Sequence, residues 1–476
     1  MNDILNNAYF AYFISKNEHK DFSEHTPFGE YIVSHTKNTD ILIAENSNKK
    51  VLIIGLCVDA HAQIKRNDIA QFLASSDFDN PKDLYKLCDR FSGKYIIMLD
   101  IDGKYYLWGD ASCYLPVNYT FANGNFCAGC TDKIVADYLG FDISPISKEI
   151  KYSGKSYMQL PYNITMYDEI KALLANQYLD IDAEKYVRIK LDVKRNSSKE
   201  NINSVLKNTY ELTQNTAKEY CEYYDFACPL TAGYDSRVVF AVMESIGKLR
   251  YAYTMRHKNF TDKTPDIAIP QKITSDREIP YIIKEDTETP EDIKKFVFDF
   301  LGDWTSEIMI DYAYTSKSIV KDDSILSGQI IEQLGNHSVV KGIPDCFVTA
   351  RLAQLKVMNK SPYYKEETKK HIKEWKNAGE KYFGDLLAWE SRVSRWATQN
   401  EMLYSLMGLN ILNFFNCREL ILQYISLPIK FRVNRGVHNY FYKTADSGLL
   451  NYQFNMGKVS LPKKCAHLFK KVIKRL

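Results

Sequence analysis

Residues 230–237, LTAGYDSR, join two apolar stretches, and this junction decides how the second half of the chain folds. The residues before it, FACP at 226–229, are typical of a short buried strand. Those after it, VVFAVMESI at 238–246, predict a buried helix that ends at Gly247. A loop between a strand and a helix N-terminus binds anions, because the loop amides and the positive end of the helix point at the same place. The pattern favours a phosphate site, and a strand-to-helix turn with polar caps is the alternative.

Three side chains of this loop add chemistry to its backbone. Thr231 and Ser236 supply hydroxyl donors, and Asp235 supplies a carboxylate. A carboxylate repels a bare phosphate but suits a Mg²⁺ ion that is bound to one. The loop is not a Walker loop, because the pattern GxxxxGK[ST] occurs nowhere in the chain.

Composition limits the function classes. The chain has 476 residues, enough for two domains or more, and its net charge of +3 is too small to argue for nucleic acid as a partner. No apolar run is long enough to span a membrane, and the N-terminus lacks the pattern of a signal peptide. Most of the ten cysteines lie in apolar stretches, which is typical of reduced core residues in the cytoplasm. We expect the lone pair Cys127 and Cys130 to be structural, because no second pair accompanies it.

The first half of the chain alternates strand-like stretches with short helices. Residues 95–100 and 105–108 predict a β-hairpin that turns at an Asp-Gly pair, and residues 117–121 and 125–128 predict another. Repeated hairpins separated by helices predict stacked antiparallel sheets. Ser197 and Glu200 then form a capping box, which opens a long amphipathic helix leading to the loop.

Several motifs together resemble the asparagine synthetase family. TAGYDS at 231–236 resembles that family's SGGxDS pyrophosphate loop, SGQIIEQL at 327–334 resembles its SGEGADEL, and residues 413–428 resemble its PFLDxRLVEF…LP stretch. FSGKY at 91–95 and GDAS at 109–112 resemble a strand entry and a turn of its glutaminase domain. The resemblance implies an αββα sandwich of the Ntn-hydrolase type at residues 1–193, which is α+β. It implies a parallel-sheet α/β ATP-pyrophosphatase domain with a helical C-terminal part at residues 194–476.

The first domain departs from that family at its nucleophile. The family's glutaminase uses an N-terminal cysteine whose own α-amine acts as the base. Here residue 2 is Asn2, and the first thiol, Cys57, lies well inside the chain. We therefore expect a glutaminase-like domain without glutaminase activity.

The resemblance also implies a site for ATP and Mg²⁺. It places the metal on Asp235 and Glu332, where Glu332 stands for an aspartate of the family. The implied nucleotide-binding residues are Thr231, Ala232, Gly233, Tyr234, Asp235, Ser236, Arg237, Met255, Asp266, Ser327 and Gly328. The implied catalytic residues are Glu332, Gln329 and Lys443.

Three of these positions differ from the family in ways that matter. Ala232 replaces a glycine and is tolerable only at negative φ, because a left-handed alanine costs about 1–2 kcal/mol. Gln329 replaces a glutamate used in the family's chemistry, and a plain surface role is the alternative for it, as for Glu332. The family's lysine falls at Asn439 and its arginine at Lys443, so that His438, Arg435 or Lys443 would have to supply the missing cation.

The implied reaction is adenylation of a carboxylate followed by amide formation. A carboxylate attacks the α-phosphorus of ATP, and ammonia or an amine then displaces AMP. This predicts a cytoplasmic ligase that acts on small-molecule carboxylate and amine substrates. One alternative is a degenerate homologue that binds nucleotide, or nothing, and serves as an interaction protein. Another is an accessory protein in weak peripheral contact with a membrane through the basic amphipathic tail at 463–476.

Overall fold

The computed structural model describes residues 5–78, 80–153, 160–191, 193–301, 305–321, 324–335, 347–445 and 447–454. Two antiparallel six-stranded sheets and one parallel five-stranded sheet organise these residues. Every strand of the antiparallel sheets precedes residue 189, and every strand of the parallel sheet follows residue 225. The chain is thus a mixed α/β protein, as predicted, and the division at residues 193 and 194 stays a prediction.

The antiparallel sheets contain the first twelve strands of the described residues. These strands are β1 (Tyr12–Ser15), β2 (Glu24–Phe28), β3 (Tyr31–His35), β4 (Ile41–Asn46), β5 (Lys49–Asp59), β6 (Phe91–Ile101), β7 (Lys104–Gly109), β8 (Asn118–Thr120), β9 (Cys127–Gly129), β10 (Lys171–Ala172), β11 (Gln177–Asp180) and β12 (Lys185–Arg188). One sheet has the order β10-β8-β9-β1-β3-β2 and the other the order β12-β11-β7-β6-β5-β4. Both predicted hairpins are confirmed, since β6 pairs with β7 and β8 pairs with β9. Asp102 and Gly103 at the first turn both take positive φ, as a two-residue hairpin turn requires.

Seventeen α-helices and one π-helix, besides short 3₁₀ turns, are described in full. The α-helices are α1 (Ile69–Ser75), α2 (Pro81–Cys88), α3 (Asp132–Leu139), α4 (Pro145–Tyr152), α5 (Lys199–Cys221), α6 (Tyr234–Ser245), α7 (Pro265–Ser275), α8 (Glu291–Leu301), α9 (Glu307–Val320), α10 (Gln329–Leu334), α11 (Ala350–Lys356), α12 (Pro362–Asn377), α13 (Phe383–Leu386), α14 (Thr398–Leu406), α15 (Arg418–Ser426), α16 (Ile429–Val433) and α17 (Gly436–Thr444). The π-helix spans Leu387–Ala397. No helix of the described ranges has an apolar stretch that would reach across a bilayer.

Strand β5 shows how the antiparallel sheets are layered. Leu52 and Ile54 belong to the large core that the two sheets share, whereas Val51 and Ile53 pack with α1 and α2 on the opposite face. Side chains of a strand alternate between faces, so a strand that is apolar at every position is buried on both sides. Helix α3 contacts β8 and β9 of the other sheet, which completes a helix–sheet–sheet–helix arrangement.

The parallel sheet has the order β15-β14-β13-β16-β17. Its strands are β13 (Phe226–Pro229), β14 (Tyr251–Arg256), β15 (Tyr281–Glu285), β16 (Ser324–Leu326) and β17 (Ile411–Leu412), and all four pairings are parallel. This confirms the predicted parallel sheet. The chain adds β14 and β15 on one side of β13 and then returns to add β16 on the other. In such sheets, ligands bind beyond the carboxyl ends of the two strands at which the order reverses.

One sequence expectation is corrected by the helices. The N-cap of α5 is Ser198, whose side chain accepts from the Asn201 amide, so the capping box at Ser197 is wrong. The tail at 463–476 lies outside the described residues.

Candidate functional site

The two motifs that are predicted to form a phosphate site meet at the point where the strand order reverses. Strand β13 leads into residues 230–233 and α6, and the neighbouring β16 leads into Ser327, Gly328 and α10. A cavity of about 360 Å³ opens at these strand ends. Residues about a hundred positions apart are therefore brought together because their strands are adjacent.

Nine of the residues nominated from the sequence line this cavity. They are Thr231, Asp235, Ser236, Met255, Asp266, Ser327, Gly328, Gln329 and Glu332. Four other nominated residues belong to the loop but do not line the cavity. They are Ala232, Gly233, Tyr234 and Arg237. Lys443 is exposed on α17 and does not line the cavity.

The loop is held in shape by its own hydroxyl groups. The Oγ atoms of Thr231 and Ser236 lie 2.9 Å apart, and the Thr231 amide donates to Ser236 Oγ at 3.1 Å. The Gly233 amide donates to Thr231 Oγ1 at 3.1 Å, and Gly233 is the N-cap of α6 without a side-chain cap. The first backbone amides of a helix have no hydrogen-bond acceptor within that helix. Those of Tyr234, Asp235 and Ser236 are therefore the donors that the loop offers to an anion.

Both backbone polar groups of Ala232 are hydrogen-bonded to side chains. Its amide donates to Asp266 Oδ1 at 2.9 Å, and its carbonyl accepts from the Arg237 guanidinium at 3.0 Å. Ala232 does not take a positive φ, so alanine is unstrained where the family has glycine.

Arg237 supports the loop from the protein interior. Its side chain is fully buried, donates to the Gln453 carbonyl as well, and stacks on the Phe454 ring at 4.0 Å. Burial lowers the pKa of Arg237 to about 10, which leaves it charged at neutral pH. Arg237 therefore positions the loop and does not face the cavity.

Asp235 is held by two basic side chains from the end of the described chain. His438 Nε2 lies 2.7 Å from Asp235 Oδ1, and an Arg435 nitrogen lies 3.8 Å from the same oxygen. The sequence nominated both residues as substitutes for a missing lysine, and the structure places both against the loop carboxylate.

The donor set suits a metal ion that arrives with a nucleotide. Asp235 and Glu332 line the same cavity, and within the described ranges no group of three or more His, Cys, Asp or Glu side chains is arranged to hold a metal. Mg²⁺ is usually held by one or two carboxylates together with substrate phosphates and water. Two carboxylates fit that pattern and do not fit a site built from protein ligands alone.

Sequence reasoning missed one wall of the cavity. Asn400, Glu401 and Tyr404 of α14 line it, and His257 and Phe260 line another part. Glu401 is the one charged residue among the buried residues of α14, which are Thr398, Glu401, Met402, Leu403, Ser405 and Leu406. A lone carboxylate at an inward-facing helical position is the signal that would have found it, because glutamate is almost never fully buried unless it is paired.

Comparisons with known proteins give only distant likenesses. No family model matches the chain, and no curated protein does. A glutamine-dependent NAD⁺ synthetase from Acinetobacter baumannii, solved with ADP, is 13% identical over 41% of this chain and 43% of its own, with a TM-score of 0.21. This chain thus spans less than half of that protein.

Two further solved structures show the same degree of likeness. The glutamine phosphoribosylpyrophosphate amidotransferase of B. subtilis, solved with ADP and GMP, is 10% identical over 68% of this chain and 70% of its own, with a TM-score of 0.26. An NH₃-dependent NAD synthetase from Campylobacter jejuni, solved with nitrate, is 11% identical over 37% of this chain and 84% of its own, with a TM-score of 0.19. Scores this low carry no conclusion about the activity of this chain.

Proposed function

We propose that the chain is an ATP-dependent ligase that adenylates a substrate carboxylate and joins it to ammonia or an amine, releasing AMP and pyrophosphate. The observation that carries the proposal is the convergence of the 230–237 loop, Asp266, residues 327–329 and Glu332 around one cavity at the strand-order reversal. The resemblance of these motifs to the asparagine synthetase family supports the same reaction and the same Ntn-hydrolase-like and ATP-pyrophosphatase folds. The first thiol of the sequence, Cys57, is buried within β5, so the proposal takes the nitrogen from free ammonia or an amine.

Each part of the site has a role in this reaction. The first amides of α6 and the hydroxyl groups of Thr231 and Ser236 bind the β- and γ-phosphates. Asp235 and Glu332 would hold Mg²⁺, which when bound neutralises charge on the leaving pyrophosphate. Catalysis is then mainly alignment of the carboxylate with the α-phosphorus and stabilisation of developing charge.

A second candidate is a nucleotide-binding protein without ligase activity. Asp235 already has His438 at 2.7 Å, and Gln329 cannot do the chemistry of a glutamate. Both features are compatible with a site that holds ATP and does not turn it over.

Exchange of labelled pyrophosphate into ATP separates the two candidates. The assay needs a carboxylate, which a metabolite extract supplies, and mass spectrometry of the acyl-AMP identifies it. The ligase exchanges label in the presence of the extract, whereas the nucleotide-binding protein binds MgATP in a titration and exchanges none.

Asp235→Asn tests the metal assignment within this assay. We expect exchange to fall at least about a hundredfold, because the charge that holds the metal is lost. Asparagine can still accept from His438, and the side chain is 26% exposed, so the free energy of unfolding should change by no more than about 1 kcal/mol. Asp262→Asn is the matched control, because Asp262 is exposed, pairs with Arg256 and does not line the cavity. Exchange at the wild-type rate in Asp235→Asn would remove the metal from this residue.

A further inference from the structure

A second set of polar groups lies on the wall that α14 contributes to the cavity. Glu401 is 2% exposed, and its Oε2 atom has no hydrogen-bond partner among the described residues. The neighbouring Asn400 Nδ2 is also buried without a partner in that part of the chain. Buried polar side-chain atoms are nearly always paired, so two adjacent exceptions in a cavity wall indicate a ligand.

The groups behind Glu401 connect it to the predicted chemistry. The Tyr114 hydroxyl contacts the Glu401 carboxyl group and also donates to Gln329 Oε1 at 3.3 Å. Lys94 is buried nearby, and its Nζ donates to Ser405 Oγ at 3.0 Å. Glu401 thus lies one side chain away from the residue that stands at the family's catalytic position.

The charges of the cavity favour a cation at this wall. Asp235, Asp266, Glu332 and Glu401 are among the lining residues, and no lysine or arginine is among those described. Asp235 and Glu332 are assigned to the metal, and Asp266 accepts from the Ala232 amide. Glu401 is therefore the carboxylate left for a positively charged group of a substrate.

We propose that Glu401 binds the nitrogen substrate as a protonated amine, either ammonium or a primary alkylammonium. The inference rests on the proposed ligase function and names the subsite for its second substrate. The ammonium donates to Glu401 Oε2. Asn400 Nδ2 is itself a donor, so it pairs with an acceptor atom of a larger substrate and not with the ammonium group. Before attack, one proton passes from nitrogen to Glu401 (R–NH₃⁺ + –COO⁻ → R–NH₂ + –COOH), which frees the lone pair of the nitrogen.

The ionisation of Glu401 gives this subsite a distinctive pH dependence. Burial raises the pKa of Glu401 to about 8, although Lys94 and Tyr114 both lower it. Tyr404 on the same helix also interacts with the Glu401 charge. The remaining titratable residues of the cavity lining are Asp235, Tyr253, His257, Asp266 and Glu332. In the free protein Glu401 is therefore mostly protonated at neutral pH. Because a cation must displace that proton, amine affinity should rise from about pH 6 to about pH 8.

Ligand-observed NMR on the full-length protein tests the subsite, with ammonium chloride, methylammonium and n-butylammonium as probes and tetramethylammonium as a cation that cannot donate. We expect Glu401→Gln to weaken binding of the preferred donor about tenfold to a hundredfold and to remove the rise with pH, as for a lost charge-assisted hydrogen bond. Glu380→Gln is the matched control, because Glu380 is also buried, has a pKa raised to about 7, and does not line the cavity. Preference for ammonium identifies ammonia as the nitrogen source, and preference for n-butylammonium identifies an amine.

Two results overturn the inference. One is amine binding in Glu401→Gln with the affinity and pH profile of the wild type, and the other is equal binding of tetramethylammonium and methylammonium by the wild type. If Glu401→Gln does not fold, Glu401→Asp serves instead and should weaken binding about threefold to tenfold, because the carboxylate is withdrawn by one methylene. Pyrophosphate exchange by the wild type needs no amine, so its absence refutes the ligase itself. Normal exchange combined with unchanged amine binding in the variant refutes only the subsite.

Discussion

A methyl group at Gly328 tests how closely the two motif turns must approach. Gly328 has φ −101°, which alanine adopts freely, so the substitution adds no backbone strain. A Cβ atom there would lie 3.1 Å from the Asp235 carbonyl oxygen, 3.2 Å from its carbonyl carbon and 3.4 Å from its Cβ. Ordinary contacts begin at 3.4 Å, so the two turns must separate by about 0.3 Å.

This separation should lower both the stability of the protein and its activity. Overpacking of one methyl against backbone should lower the free energy of unfolding of Gly328→Ala by about 1 kcal/mol. A misplacement of 1 Å at a reacting centre costs about a hundredfold, so several tenths of an ångström should lower MgATP affinity and pyrophosphate exchange about tenfold. Gly328→Val should lower exchange further, because its branched side chain meets the same carbonyl.

The assays are urea unfolding, MgATP titration and pyrophosphate exchange. Gly247→Ala is the matched control at the other end of α6. A Cβ atom at Gly247 meets nothing within 4 Å, but its φ of +67° makes alanine cost about 1 kcal/mol. It should therefore lose similar stability and keep exchange unchanged. The reasoning fails if Gly328→Ala exchanges and binds MgATP as the wild type does, or if Gly247→Ala loses as much exchange.

Two other substitutions probe buried charges. Arg237→Met should lower the free energy of unfolding by about 3 kcal/mol in urea titrations, because the buried carbonyls of Ala232 and Gln453 each lose a donor. A loss below about 1 kcal/mol would show that the loop keeps its conformation without Arg237. Burial alone would raise the pKa of Glu390, but Arg188 overrides it and the pKa falls to about 2. Because the folded pKa lies below the unfolded one, Glu390 stabilises the fold above about pH 4.5 and this contribution is lost as the pH falls towards 2. Glu390→Gln should therefore be less stable at neutral pH and show a shallower acid transition in circular dichroism, and an unchanged transition would contradict the ion pair.

The antiparallel and parallel sheets follow from patterns that are local in the sequence. The turn at Asp102 and Gly103 is determined by which residues tolerate positive φ. The junction at 226–246 predicts its strand, loop and helix from apolar runs and small residues alone, and all three form. Seven of the nine lining residues named in advance come from the two motifs that directly follow β13 and β16, whereas Met255 lies in β14 and Asp266 lies in the first turn of the next helix.

Other features depend on contacts between residues far apart in the chain. The stretch at 387–397 has the composition of an ordinary helix, yet it forms a π-helix. There Glu390 meets Asn176 and Arg188 from the first half, at 2.9 Å each. Similarly, nothing local in the sequence pairs His438 with Asp235 or places Glu401 beside Tyr114. The chain's own alternation and turn chemistry thus determined its strands, its helices and the 230–233 loop, because these depend on neighbouring residues. Which charges meet at the site was decided only by the packing of α14 against β17 and of α17 against α6, because burial and pairing are properties of the assembled core.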